Sequence, residues 1–96
     1  MKDQLTTLDL ETAGRLLSPE NCRLISLISN QNPSSIKELC EFSERAQPNV
    51  SRALAVLVAS GVVKMVGGRP KRPQLAVQTI VIDVGPKRLS PPAMSR

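Results

Sequence analysis

The chain of 96 residues has no histidine, no tryptophan and no tyrosine, and Phe42 is its one aromatic residue. Without histidine it lacks the commonest general base and metal ligand. Without rings it lacks the stacking platforms on which single-stranded RNA or DNA is held, which disfavours a single-strand binder. Cysteine is scarce too. Cys22 and Cys40 sit in apolar-periodic segments with no histidine to complete a zinc site, so both are expected to be reduced core thiols. No glycine-rich loop stands between a strand and a helix, as dinucleotide binding requires, and the acids show no spacing that would set a pair across a cleft. An enzyme is therefore not expected, nor any cofactor or metal. No apolar run approaches the roughly 18 residues of a membrane span. The N-terminus, MKDQLTTLDLETAG, carries acids where a signal peptide would be apolar, so the expectation is a cytoplasmic protein.

Acidic residues nearly vanish after Glu44. Residues 1–44 hold seven acids against four bases, giving −3, whereas residues 45–96 hold nine bases against Asp83, giving +8. Such a basic half is the electrostatic footprint of a polyanionic partner, and duplex DNA is a polyanion that needs no aromatic ring for recognition. With 41% hydrophobic and 22% charged residues the composition is that of one folded soluble domain, small enough that a dimer would add useful stability.

Periodicity divides the chain into segments. Leu5, Leu8, Thr12 and Leu16 fit one stripe of a helix from about Asp3 to Leu17, weakened by Gly14. Ser18-Pro19-Glu20 is a helix start, with a capping serine and then proline, and that helix runs through Leu24, Ile25, Leu27 and Ile28 to about Ser29 before Asn30-Gln31-Asn32-Pro33 ends it. Ser35-Ile36-Lys37-Glu38 has the form of a capping box and opens a short helix to about Phe42, with Ile36, Leu39 and Cys40 on its buried face. After Ser43-Glu44-Arg45-Ala46, Gln47-Pro48 starts another. In it Val50, Ala53, Leu54, Leu57 and Val58 recur at core spacing, and Gly61 caps the end. Val62–Val66 and Leu75–Val84 read as two strands of a hairpin flanking the loop Gly67–Gln74, and residues 85–96 as a tail without periodicity.

The last helix opens on a polar turn of Gln47, Asn49, Ser51 and Arg52 although its other face is apolar. The recognition helix of a helix-turn-helix has that form, because its first turn enters the major groove while its back packs on the domain. The fold expected is mainly α with a β-hairpin wing.

The stretch "SSIKELCEFSERAQPNVSRALAVLVASGVVKM", within Asn21 to Val84, resembles the winged helix-turn-helix transcriptional regulators of the MarR and ArsR type. The matching run is a Ser-capped helix, a helix with P-x-V-S-R-x-L-x-x-L, and a glycine before the first wing strand. The resemblance implies a dimeric, sequence-specific regulator of double-stranded DNA, probing bases with Gln47, Asn49, Ser51 and Arg52 and placing Arg69, Lys71 and Arg72 at the wing tip. Ser35, Arg45 and Lys64 are candidates for contacts to the DNA backbone. On this division residues 18–84 form the DNA-binding domain and residues 1–17 a dimerisation element, with Leu5, Leu8 and Leu16 at the interface. Departures are visible as well: the chain is shorter than a typical MarR protein, lacks that family's long C-terminal dimerisation helix, and has no Cys or His cluster of the metal-sensing ArsR kind. Two alternatives stay open, an antitoxin that represses its own operon and binds a toxin, and a winged-helix module for protein contact.

Overall fold

The structure, a computed structural model, describes residues 4–85. It is a mixed α/β fold of four helices and two two-stranded sheets: β1 (Leu5–Asp9), α1 (Leu10–Leu16), α2 (Pro19–Gln31), α3 (Ile36–Ser43), α4 (Gln47–Ala59), β2 (Val63–Val66), β3 (Arg72–Leu75) and β4 (Thr79–Asp83). Of the expected tail, all but Gly85 lies outside the described residues, as does the expected helix start at Asp3.

The helix punctuation behaves as local chemistry dictates. Ser18 accepts a hydrogen bond from the Asn21 amide at 3.2 Å to start α2, and Asn32 ends it in the left-handed region at φ 51°. The Ser35 hydroxyl accepts from the Glu38 amide at 3.0 Å. The return half of that box is displaced by one residue, since the Glu38 carboxylate accepts from the amide and hydroxyl of Ser34, at 2.7 and 3.0 Å. At the end of α4, Gly61 adopts φ +87°, its amide donates to Val58, and the Val62 amide donates to Leu57 at 3.0 Å. This is a Schellman closure, and it drives Val62 into the core, 1% exposed.

The core gathers one face from each helix: Ala13 and Leu16, Leu24 and Ile28, Leu39, and Val50, Leu54 and Leu57, closed by Leu8, Val62 and Val63. Half-buried Ile36 and Cys40 pack against it on α3, and Ile25 and Leu27 on α2. Asn21 anchors α1 to α2 by donating from Nδ2 to the Leu16 carbonyl at 2.8 Å. Among the described residues no helix is long and apolar enough to cross a membrane.

Several expectations are corrected. The segment taken for one N-terminal helix is a strand followed by a seven-residue helix. Its Leu-Thr-Thr-Leu spacing suits a helix locally, but the β-branched threonines also suit a strand, and a parallel partner far along the chain decides it: Leu5 to Asp9 pair with Thr79 to Asp83. The leucine stripe consequently dissolves. Leu8 and Leu16 are buried in this chain's own core, at 6% and 2%, and of the three proposed interface leucines only Leu5 stays exposed. The hairpin is also smaller than expected. Its second strand is Arg72–Leu75, antiparallel to β2, and the β-branched run beyond it leaves to join β1. The Ala76 amide donates to the Val62 carbonyl and the Gln78 amide to Gln4, so the chain changes sheets between these two bonds. Val58 lies on the outside of α4, 39% exposed, and Cys22 is an exposed thiol where a core one was expected.

Candidate nucleic-acid interface

Three residues, Glu44-Arg45-Ala46, turn the chain from α3 into α4, with Glu44 in the left-handed region at φ 58° and the Arg45 amide donating to the Cys40 carbonyl at 3.2 Å. α4 then begins without a side-chain cap, at Ala46. Two of its first-turn amides, those of Asn49 and Val50, both donate to the Ala46 carbonyl at 3.1 Å, and Pro48 has none to offer. Among the first-turn amides that leaves Gln47's to face outward.

The side chains of the turn divide cleanly. Val50 is fully buried, while Gln47, Pro48, Asn49 and Arg52 are exposed and Ser51 is half-buried beside them. Arg52 Nη2 donates to Asn49 Oδ1 at 2.7 Å, a bond natural to residues three apart on a helix. It holds a guanidinium and an amide as one polar unit on the solvent side. The opposite face of α4 is clamped twice, by Leu54 and Leu57 in the core and by β1 at the far end, where Thr6 Oγ1 donates to the Ser60 carbonyl at 3.4 Å.

The basic hairpin follows at once. Val66 and Arg72 form the last pair of the β2–β3 ladder, so the loop is Gly67 to Lys71, with Gly67 at φ +88° and a cis bond between Arg69 and Pro70. Arg69, Lys71 and Arg72 are all exposed. Arg69 and Lys71 belong to the loop, but Arg72 is the first residue of β3 instead of part of the tip, and its guanidinium lies back over Gly67, near enough that a Cβ there would be 3.7 Å from Nη1. Pro73, expected in the loop, is buried on β3, an edge strand where a missing amide is tolerated.

The three residues considered for backbone contact differ. Lys64 is exposed on β2, and half-buried Ser35 has its hydroxyl engaged in the α3 cap. Arg45 is half-buried with Nη1 enclosed and unpartnered among the described residues, so only part of its guanidinium is available to anything outside.

Other concavities offer less chemistry. An open cavity of about 500 Å³ between α2 and the chain following β3 is lined by the amides of Gln4, Asn32, Gln74 and Gln78 and by no ionisable side chain. A second of similar volume, where α1 and α2 meet the end of α4, carries Arg15 as its one charge. Among the described residues no group of three or more Cys, Asp or Glu side chains converges on a point where a metal could sit. The Asn49–Arg52 bond and the exposure of Val56 on α4 were not anticipated; the first was readable from the three-residue spacing, the second from Val56 falling off the 50-54-57 stripe.

Neither the curated proteins nor the solved structures yield a match to the chain. One family model does match, from Leu16 at the end of α1 to Ile82 in β4, a span that contains α2, α3, α4 and the whole hairpin. On that match, which covers residues 16–82 and so well over half of the sequence, the chain belongs to the HVO_A0114 family.

Proposed function

We propose that this chain binds double-stranded DNA sequence-specifically, as a transcriptional regulator and a dimeric repressor, with α3 and α4 as a helix-turn-helix and the β2–β3 hairpin as its wing. The observation that carries the reading is the first turn of α4: Gln47, Asn49 and Arg52 are exposed while Val50, one step round the helix, is fully buried. A helix anchored on one side and polar at its exposed start can lie in a major groove without disturbing its own core. The charge supports it, since residues 45–82 contain no acid.

In this reading Arg52 addresses a guanine through O6 and N7, and Asn49 or Gln47 pairs with an adenine. Half-buried Ser51 meets a phosphate. Arg69 and Lys71 follow the minor groove or its flanking phosphates, with Arg72, Lys64, Ser35 and the accessible part of Arg45 on the backbone. Two copies related by a two-fold axis would set their α4 helices about 34 Å apart and demand a palindromic site.

Selection of bound duplexes from a random pool at near-physiological salt tests this. An enriched palindrome with half-sites about ten base pairs apart supports the reading. No enrichment by a folded protein refutes it and favours a second reading, a module for protein contact, which the exposure of Val56 and Val58 on α4 supports.

A further inference from the structure

Among the described residues the β1–β4 pair is a two-stranded parallel sheet with no third strand. Parallel strands are ordinarily found inside sheets covered on both faces, and two strands alone hold together poorly in water. Here β4 reads Thr-Ile-Val-Ile-Asp, nearly all β-branched, yet Val81 and Ile82 are each 41% exposed. Among the described residues its outer edge has no proline, lysine or bulge, and its one charge, Asp83, stands at the end of the strand. The sheet is built to be extended.

We propose that β4 pairs antiparallel with β4 of a second copy of this chain about a two-fold axis at Val81, making one four-stranded sheet of order β1-β4-β4-β1. The order of residues argues for a copy of the same strand. Centring the pair on Val81 brings Val81 against its own mate, Ile80 against Ile82, and Thr79 against Asp83. The apolar residues then meet apolar ones, and the two acids, whose carboxylates each accept from their own Gly85 amide at 2.9 Å, stand at opposite ends instead of facing each other. The same operation on β1 matches less well, because centring on Thr7 sets Leu5 against Asp9, an apolar side chain against an acid. This surface is distinct from the leucine stripe and does not depend on DNA binding.

The test is the mass of the full chain in solution at tens of micromolar, with and without one substitution, and a pair of cross-linking variants. Wild type should sediment at twice the chain mass, and Val81→Lys, which sets two cations together on the axis, should sediment as a monomer with an unchanged helical circular dichroism spectrum. In a chain with Cys22 and Cys40 replaced by serine, Val81→Cys should be joined into dimers by a short bis-maleimide, whereas Leu5→Cys, on the strand away from the axis, should not. A wild-type monomer would overturn the proposal, as would a dimer that survives Val81→Lys or one that cross-links through residue 5 and not residue 81. If Val81→Lys does not fold, the cross-linking pair decides alone.

Discussion

Replacing Arg52 with alanine separates recognition from stability. The side chain is exposed and its hydrogen bond joins it to Asn49, another exposed residue, so its removal leaves the packing of Val50, Leu54 and Leu57 untouched. Stability should shift by no more than about 0.5 kcal/mol, as for surface positions generally. Binding should change far more. A bidentate contact to guanine contributes about 1–3 kcal/mol of discrimination, so the preferred duplex should bind about 5- to 150-fold more weakly while a scrambled duplex loses little. Arg52→Lys should bind the scrambled duplex as the wild type does and recover little of the preference, because an ammonium keeps the charge but not the planar fork. Fluorescence anisotropy on the selected duplex and its single-base variants reads all three proteins. Asn49→Ala adds a further arm: if the 2.7 Å bond aims the guanidinium, the double variant should lose less than the two single losses together. Equal weakening of every duplex by Arg52→Ala would make the residue a phosphate contact and refute the assignment.

Three other outcomes follow from the same geometry. Lys71→Ala, in the exposed hairpin loop, should weaken all duplexes alike and reduce the slope of log affinity against log salt by about one, measured over a salt titration. Ser35→Ala removes the acceptor of the Glu38 amide and should cost about 1 kcal/mol in chemical denaturation; Ser35→Asp, which restores an acceptor, should recover most of it. Leu57→Ala empties a fully buried site and should cost about 2–5 kcal/mol, lowering the melting temperature by at least about 8 °C in a domain of this size.

The contrast between what was readable and what was not follows sequence distance. The starts of α2 and α3, the buried faces of α3 and most of α4, and the glycine that closes α4 were all legible, because caps and apolar stripes act within a few residues. The Schellman closure at Gly61 could be placed from the glycine and the valines around it. The β-hairpin was legible in existence but not in extent. Its first strand was nearly right, yet the break at Ala76–Gln78 depends on Gln78 finding the Gln4 carbonyl, a bond across most of the chain. Pro73 misled for a related reason. Proline marks loops by its missing amide, and only the edge position of β3 shows that the missing amide is harmless there.

The N-terminal segment shows why periodicity alone is not enough. Leu5, Leu8, Thr12 and Leu16 satisfy a helical stripe, and the local signals against it, Gly14 and the β-branched Thr6 and Thr7, are too weak to decide. What overrides it is β4, and that pairing changes the meaning of the residues: a stripe expected to meet another subunit becomes Leu8 and Leu16 inside this core, with Thr6 bonded to the end of α4. The consequence reaches the candidate interface. α4 is fixed at its C-terminal end by β1 and along its back by the core, while its N-terminal turn carries Gln47, Asn49 and Arg52 with no other element bonded to them among the hydrogen bonds described. Fixing one end and one face of a helix orients the remaining turn at little entropic cost on binding, the condition a reading head must meet. The strand that sequence reasoning mistook for a helix therefore helps to fix the helix whose first turn is proposed to meet DNA.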